Sequence, residues 1–152
     1  VEIYDLITNK AIVAPLIAWS IAQSLKVIIE LVRNRKLDLG RLVSSGGMPS
    51  AHSAMVTALA TVLGMIYGLG SPEFAISIIL AGVVLYDSAG VRQSVGKQAA
   101  VLNRIVRELK ERRPMTELEH DLRELIGHTP FQVGGGVIIG VGFAIFWVLV
   151  LP

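Results

Sequence analysis

Four stretches of the chain stay apolar for about the thickness of a bilayer core, and the polar residues fall between them. The first, residues 11–32, reads "AIVAPLIAWSIAQSLKVIIELV" and carries two charges, Lys26 and Glu30, both near its C-terminal end. The second runs from about Pro49 to Leu69 and closes at "GLGSPE", a turn signal. Pro72 suits the first turn of the next helix, and "FAISIILAGVVLYDSAGV" becomes polar at Asp87. Beyond it Val95, Ala99, Leu102, Val106 and Leu109 recur at three- and four-residue steps, which predicts an amphipathic helix, cytosolic or interfacial, extending the third span. Pro114 ends that helix, and "TELEHDLRELIG" reads as a short polar one with Thr116 as N-cap and Glu119 completing a capping box. The last span covers about Phe131 to Leu151, with Gly136 and Gly140 spaced for close helix approach. The fold class predicted is all-α: an integral membrane helical bundle of about four transmembrane helices plus the amphipathic helix, forming one domain over residues 1–152.

Composition supports this reading. Hydrophobic residues make up 53% of the 152 positions and mean hydropathy is +0.62, too apolar for an ordinary soluble domain. The absence of cysteine excludes disulfides and thiolate chemistry. The start, "VEIYDLITNK", is polar and acidic, without the basic leader of a cleavable signal peptide. Net charge is only +2, so the placement of Lys and Arg says more than their sum. Arg33, Arg35, Lys36 and Arg41 lie between the first two spans, and residues 92–123 are again rich in Lys and Arg, whereas "GLGSPE" has neither. Both basic segments are therefore expected in the cytoplasm, with both termini on the opposite side. Nothing in the chain suggests nucleic acid as a partner; the expected partners are membrane lipids.

That topology collects the ionisable residues at one membrane face. Lys26 and Glu30 end the first span there, His52 opens the second, Asp87 and Arg92 close the third, and His128 precedes the fourth. Each has an ordinary explanation alone. Lys26 can lift its ammonium to the headgroups, Asp87 can pair with Arg92 or Lys97, and either histidine can be a satisfied interfacial residue. Together they suit phosphate. Lys26 and Arg33 supply positive charge, and "GGMPS", with Gly47 and the Ser50 hydroxyl, can approach an anion closely. The helix starting near Ser50 adds the positive end of its dipole. Two histidines are what covalent phosphotransfer requires, one attacking phosphorus and one protonating the leaving oxygen. No HxxxH, HxxE or carboxylate cluster accompanies them, so no metal site is predicted. His120, in "TELEHD", reads as part of a solvated helix face.

The blocks "KVIIELVRN" (Lys26–Asn34), "GGMPSAHSA" (Gly46–Ala54), "YDSAGVRQSVGKQAAVLN" (Tyr86–Asn103) and "LIGHTPFQVGGG" (Leu125–Gly136) resemble the divergent branch of the type 2 phosphatidic acid phosphatase superfamily, also described as acid phosphatase/vanadium-dependent haloperoxidase-related. The likeness covers nearly the whole chain. The mainstream pattern is K-x6-R-P, P-S-G-H and S-R-x5-H-x3-D. Lys26 and Arg33 match the first element, with Asn34 in place of proline. Pro49, Ser50 and His52 match the second, with Ala51 in place of glycine. His128 matches the last histidine, which the resemblance makes the nucleophile. Gln132 stands where its orienting aspartate would be; an amide oxygen can accept an Nδ1–H bond but brings no charge. The S-R pair is absent, and Arg92 is a candidate substitute for its guanidinium, with Asp87 as partner or alternative orienting carboxylate.

The resemblance and the predicted topology together imply a lipid phosphatase that uses no metal or other cofactor and opens to the cytoplasmic leaflet. Its substrate would be a lipid phosphate monoester or diphosphate, such as phosphatidylglycerophosphate, phosphatidate or a polyprenyl phosphate. The competing expectations are a catalytically inactive lipid-phosphate-binding or scaffolding membrane protein, suggested by Gln132 and the absent S-R pair, and a small transporter lined by Lys26, Glu30 and Asp87. Haloperoxidase activity would need vanadate in the same pocket. Four spans leave limited room to wrap a lipid, so a homodimer completing the pocket is a further expectation.

Overall fold

A computed structural model describes residues 3–35, 47–91, 98, 101–106 and 128–150. The chain runs α1 (Ile3–Thr8), α2 (Lys10–Asn34), α3 (Ala51–Tyr67), α4 (Pro72–Tyr86), a single π-helical turn (Asp87–Val91) and α5 (Pro130–Val150). No strand occurs among the described residues, and the protein is an all-α membrane bundle. Three helical stretches have the length and apolar composition to cross a bilayer: Lys10–Val32, Pro72–Gly90 and Pro130–Val150. The remaining predicted span, α3, is shorter at 17 residues. At 1.5 Å per residue it measures about 25 Å, near the lower limit for a spanning helix.

Serine caps and a glycine close the helix ends. Ser50 caps α3 by accepting from the Ser53 N–H, and Gly68 ends that helix with a φ of 86°. Ser71 accepts from the Phe74 N–H at 3.1 Å, and Pro72 occupies the first turn of α4, where its missing N–H costs nothing. The chain start departs from its polar reading. Residues Ile3–Thr8 form a short helix that leaves Ile3, Tyr4, Leu6 and Ile7 exposed. The extension of the third span also departs from a plain α-helix, because it passes through the π turn. Residues 101–106 are helical, but Leu102, assigned to the apolar face, is exposed along with Val101 and Ile105, while Asn103 is buried. The apolar side there faces outward, as expected of a helix lying against lipid. Val95, Ala99, Leu109, the capping box at Thr116 and Glu119, His120, Lys36 and Arg41 lie outside the described residues.

Helix α3 is the hub. Ala51, Ser53, Ala54, Val56, Thr57, Ala58, Ala60 and Val62 are buried, mostly small residues that let neighbouring backbones come close. Its N-terminal half packs on Ala22 of α2 and Ile139 of α5, and its C-terminal half on Ala14, Ala18 and Ala144. This pairing makes α2 antiparallel to α3 and α5 parallel to it. Lipid provides no hydrophobic drive between helices, so contact quality decides the assembly. Gly136 and Gly140 supply it: a Cβ on Gly136 would strike the Ser50 carbonyl and lie 2.8 Å from Ser53 Cβ, and one on Gly140 would strike Thr57 Oγ1 and the Ala54 carbonyl. Hydroxyls buried in the bundle are satisfied within their own helices, Thr57 Oγ1 donating to the Ser53 carbonyl at 2.7 Å and Ser77 Oγ to the Phe74 carbonyl at 2.8 Å.

Candidate functional site

One end of the bundle gathers the C-terminus of α2, the N-termini of α3 and α5, and the π turn after α4. Lys26 lies on α2 and is only 3% exposed. It does not snorkel. Its ammonium donates to Gln23 Oε1 at 2.6 Å, one turn back on the same helix. Its aliphatic stem is covered by Gly47, where an added Cβ would lie 3.1 Å from both Cγ and Cδ of the lysine. Gly47 also has a φ of 98°, a left-handed conformation that side chains rarely adopt. The position thus needs glycine for two separate reasons, and the "GMPS" turn closes over a buried cation. The Met48–Pro49 peptide is cis.

Ser50 follows, 0% exposed. Its Oγ accepts from the Ser53 hydroxyl at 2.9 Å and, at 3.4 Å, from the Ser53 N–H, leaving the Ser50 hydroxyl proton as a donor. Its backbone N–H donates to the Gln132 carbonyl at 3.0 Å. That bond ties the first turn of α3 to the first turn of α5, and Gly135 packs beside Pro49 and Met48. Two parallel helix N-termini are thereby fixed side by side, and each carries a partial positive charge suited to an anion. His52, half-buried, is the second residue of α3. His128, 1% exposed, lies two residues before the start of α5.

Gln132 has a defined task. Its Oε1 accepts from the Thr129 N–H at 3.0 Å, while Thr129 Oγ1 accepts from the Gln132 N–H at 3.4 Å. This is a reciprocal capping box, with Pro130 in the first helical position. The oxygen that the resemblance would aim at His128 is therefore engaged at the start of α5. Gln132→Ala is expected to cost about 1 kcal/mol, or roughly 2–4 °C in thermal unfolding of the detergent-solubilised protein, whereas Gln132→Glu keeps the box and the stability.

Lys26, Gly47, Ser50 and the first turn of α5 with Gln132 are joined by direct contacts, and His52 and His128 flank the joined helix starts. Asp87, half-buried, opens the π turn, which packs against α5. Arg33 belongs to the last turn of α2 by its backbone, but its side chain lies outside the description, as do Arg92 and Lys97 altogether. Six buried polar residues among those described escaped the sequence reading: Gln23, Ser53, Thr57, Ser77, Ser88 and Asn103. Gln23 had a usable signal, since a polar amide inside an apolar span normally faces the protein interior.

The fold and this end of it define an integral membrane helical bundle with buried polar groups gathered where three helix ends meet. The sequence comparisons are more specific. The chain belongs to the Divergent PAP2 family, whose model matches residues 7–143. It is 41% identical to the "Uncharacterized membrane protein YuiD" of Bacillus subtilis (strain 168), with 90% of this chain and 92% of that protein covered. No solved structure matches the chain.

Proposed function

We propose that the protein is a lipid phosphatase that needs no metal and acts at the cytoplasmic face on a lipid phosphate monoester or diphosphate. The observation that carries this reading is Lys26, held buried beneath Gly47 beside the joined N-termini of α3 and α5. A buried ammonium is costly in an apolar bundle. Its retention beside two joined helix N-termini, one carrying His52 and the other preceded by His128, fits an anion that arrives and leaves.

In the proposed cycle, a neutral His128 nitrogen attacks phosphorus in line. The bond from phosphorus to the lipid oxygen breaks, and protonated His52 gives its proton to the departing alkoxide. Neutral His52 then takes a proton from water, the oxygen of that water attacks phosphorus, the P–N bond breaks and phosphate leaves. Lys26, Arg33, Arg92, the Ser50 hydroxyl and backbone N–H groups near Gly47 hold the non-bridging oxygens as charge builds on them. Asp87 and Lys97 are assigned supporting charges in this cycle.

The test is phosphate release from phosphatidate, phosphatidylglycerophosphate and polyprenyl phosphate by detergent-purified protein with EDTA present. Release by wild type and its loss in His128→Ala are expected, with phosphoenzyme accumulating in His52→Ala. No release from any substrate, or full activity in His128→Ala, sinks the proposal. A cysteine placed in residues 68–73 should react with an impermeant reagent from outside the cell; reaction only after permeabilisation would reverse the sidedness. The second reading, a lipid-phosphate-binding protein without turnover, is favoured by Gln132, whose amide oxygen caps α5 where the family pattern has an orienting aspartate. It predicts saturable binding of the same lipids without release.

A further inference from the structure

Helix α4 packs on α3 but leaves a cleft of about 750 Å³ between itself and α5. Thr57, Ala60, Thr61 and Gly64 of α3 form its floor, Val137 and Val141 one wall, and α4 from Phe74 to Leu85 the other. Among the described residues, no charged side chain lines it. Its two threonines present no spare donor, because Thr57 Oγ1 donates to the Ser53 carbonyl at 2.7 Å and Thr61 Oγ1 to the Thr57 carbonyl at 2.8 Å. Such a lining recognises hydrocarbon and nothing else.

We propose that this cleft holds the acyl chains of a diacyl lipid phosphate and limits their length, an inference that rests on the lipid-phosphate reading of the site above. Continuity links the two regions. Leu85, at one end of the cleft, lies two residues before Asp87, which opens the π turn that packs against α5 at the polar end. From His52 down to Thr57 the rise is about 8 Å, room for a glycerol-ester segment between phosphate and chain. A polyprenyl phosphate has no such segment, because its hydrocarbon begins at the phosphate oxygen.

Length argues the same way. From Leu85 to Phe74 the cleft runs about 16 Å along α4. An extended carbon chain advances roughly 1.25 Å per atom at ordinary bond lengths and angles, so roughly 13 carbons fit. The far end is blocked where Phe74 and Leu69 close on Gly64: a Cβ there would lie 2.9 Å from the phenyl ring and 3.2 Å from Leu69 Cδ2. Fatty-acyl chains match this depth, whereas a long polyprenyl chain overruns it several times.

Gly82 gives a clean test, because it lines the cleft and an added Cβ there meets nothing within 4 Å. Wild type, Gly82→Phe and Phe74→Ala are placed in phosphatidylcholine nanodiscs with a phosphatidate carrying a mid-chain diazirine on a palmitoyl chain, and photolabelled peptides are mapped. Labelling of wild type within residues 57–64 and 74–85 is expected. It should fall at least about tenfold in Gly82→Phe, which displaces several methylenes from the cleft. Phe74→Ala, which opens the blocked end, should shift preference toward longer acyl chains. Equal labelling in wild type and Gly82→Phe, label confined to lipid-facing positions outside the cleft, or equally strong cleft labelling by a diazirine polyprenyl phosphate overturns the inference. So does a cleft found covered by a second copy of the chain in crosslinking. Labelling reads occupancy without turnover, so a protein that labels in the cleft but releases no phosphate loses the catalytic proposal and keeps this one.

Discussion

Lys26→Met is expected to leave a folded, inserted bundle that releases lipid phosphate at least about a hundredfold more slowly than wild type, the scale for losing one preorganised oxyanion partner. The reason lies in what burial does to a lysine. At 3% exposure beneath Gly47, the ammonium has given up most of its hydration. Methionine fills a similar volume without that penalty, so removing the charge should not unfold the protein. The change does leave Gln23, itself buried, without the donor that now sits 2.6 Å away. Losing a donor to a buried acceptor costs about 1–3 kcal/mol. The double variant Gln23→Leu, Lys26→Met should therefore recover the stability lost by Lys26→Met, while neither variant recovers activity. Thermal unfolding in detergent and phosphate release, measured on the same preparations, separate the two effects. An active Lys26→Met protein would refute the role given to the ammonium.

Gly140→Leu is expected to be the most disruptive single change to the fold. Even a Cβ at that position collides with the Ala54 carbonyl and with Thr57 Oγ1, and a backbone carbonyl inside α3 cannot move aside. Helix α5 must then lift off α3, at a cost of about 3 kcal/mol or more. Function should fail with it, because the first turn of α5 carries the Gln132 carbonyl that holds Ser50 and lies next to His128. The control is on the same helix: Gly142 is exposed, and an added Cβ there meets nothing within 4 Å. Gly142→Leu should leave thermal unfolding unchanged or slightly improved, since glycine is a poor helix former. Equal behaviour of the two variants would refute the close α3–α5 contact.

Much of this bundle was legible because a bilayer imposes simple demands on a chain. Apolar length marked the spans, and the "GLGSPE" turn with Pro72 marked the break between α3 and α4, where the structure adds Gly68 and Ser71 as the caps. The spacing of Gly136 and Gly140 named the close-packed face, although three other glycines lie in the same span. The T-x-x-Q pattern at Thr129 and Gln132 was also there to be read as a capping box. Alignment with the family pattern drew attention instead to Gln132 as a substitute for an aspartate. The π turn and the inward-facing Asn103 left no comparable trace, because periodicity reports a helix face but not which face meets protein and which meets lipid.

What the sequence determined by itself was the membrane bundle, its helix boundaries and the gathering of Lys26, His52, Asp87 and His128 at one end. These follow from local hydrophobicity and capping, which depend on near neighbours in the chain. Only the tertiary structure decided that Lys26 turns inward instead of reaching for headgroups, since that depends on Gly47, 21 positions away, folding over its stem. Only the tertiary structure, too, joined the starts of α3 and α5 through the Ser50–Gln132 bond and left α4 apart from α5 to form a cleft. Those are contacts between distant segments, fixed by which small residues meet across the bundle, and no pattern within a single span encodes them.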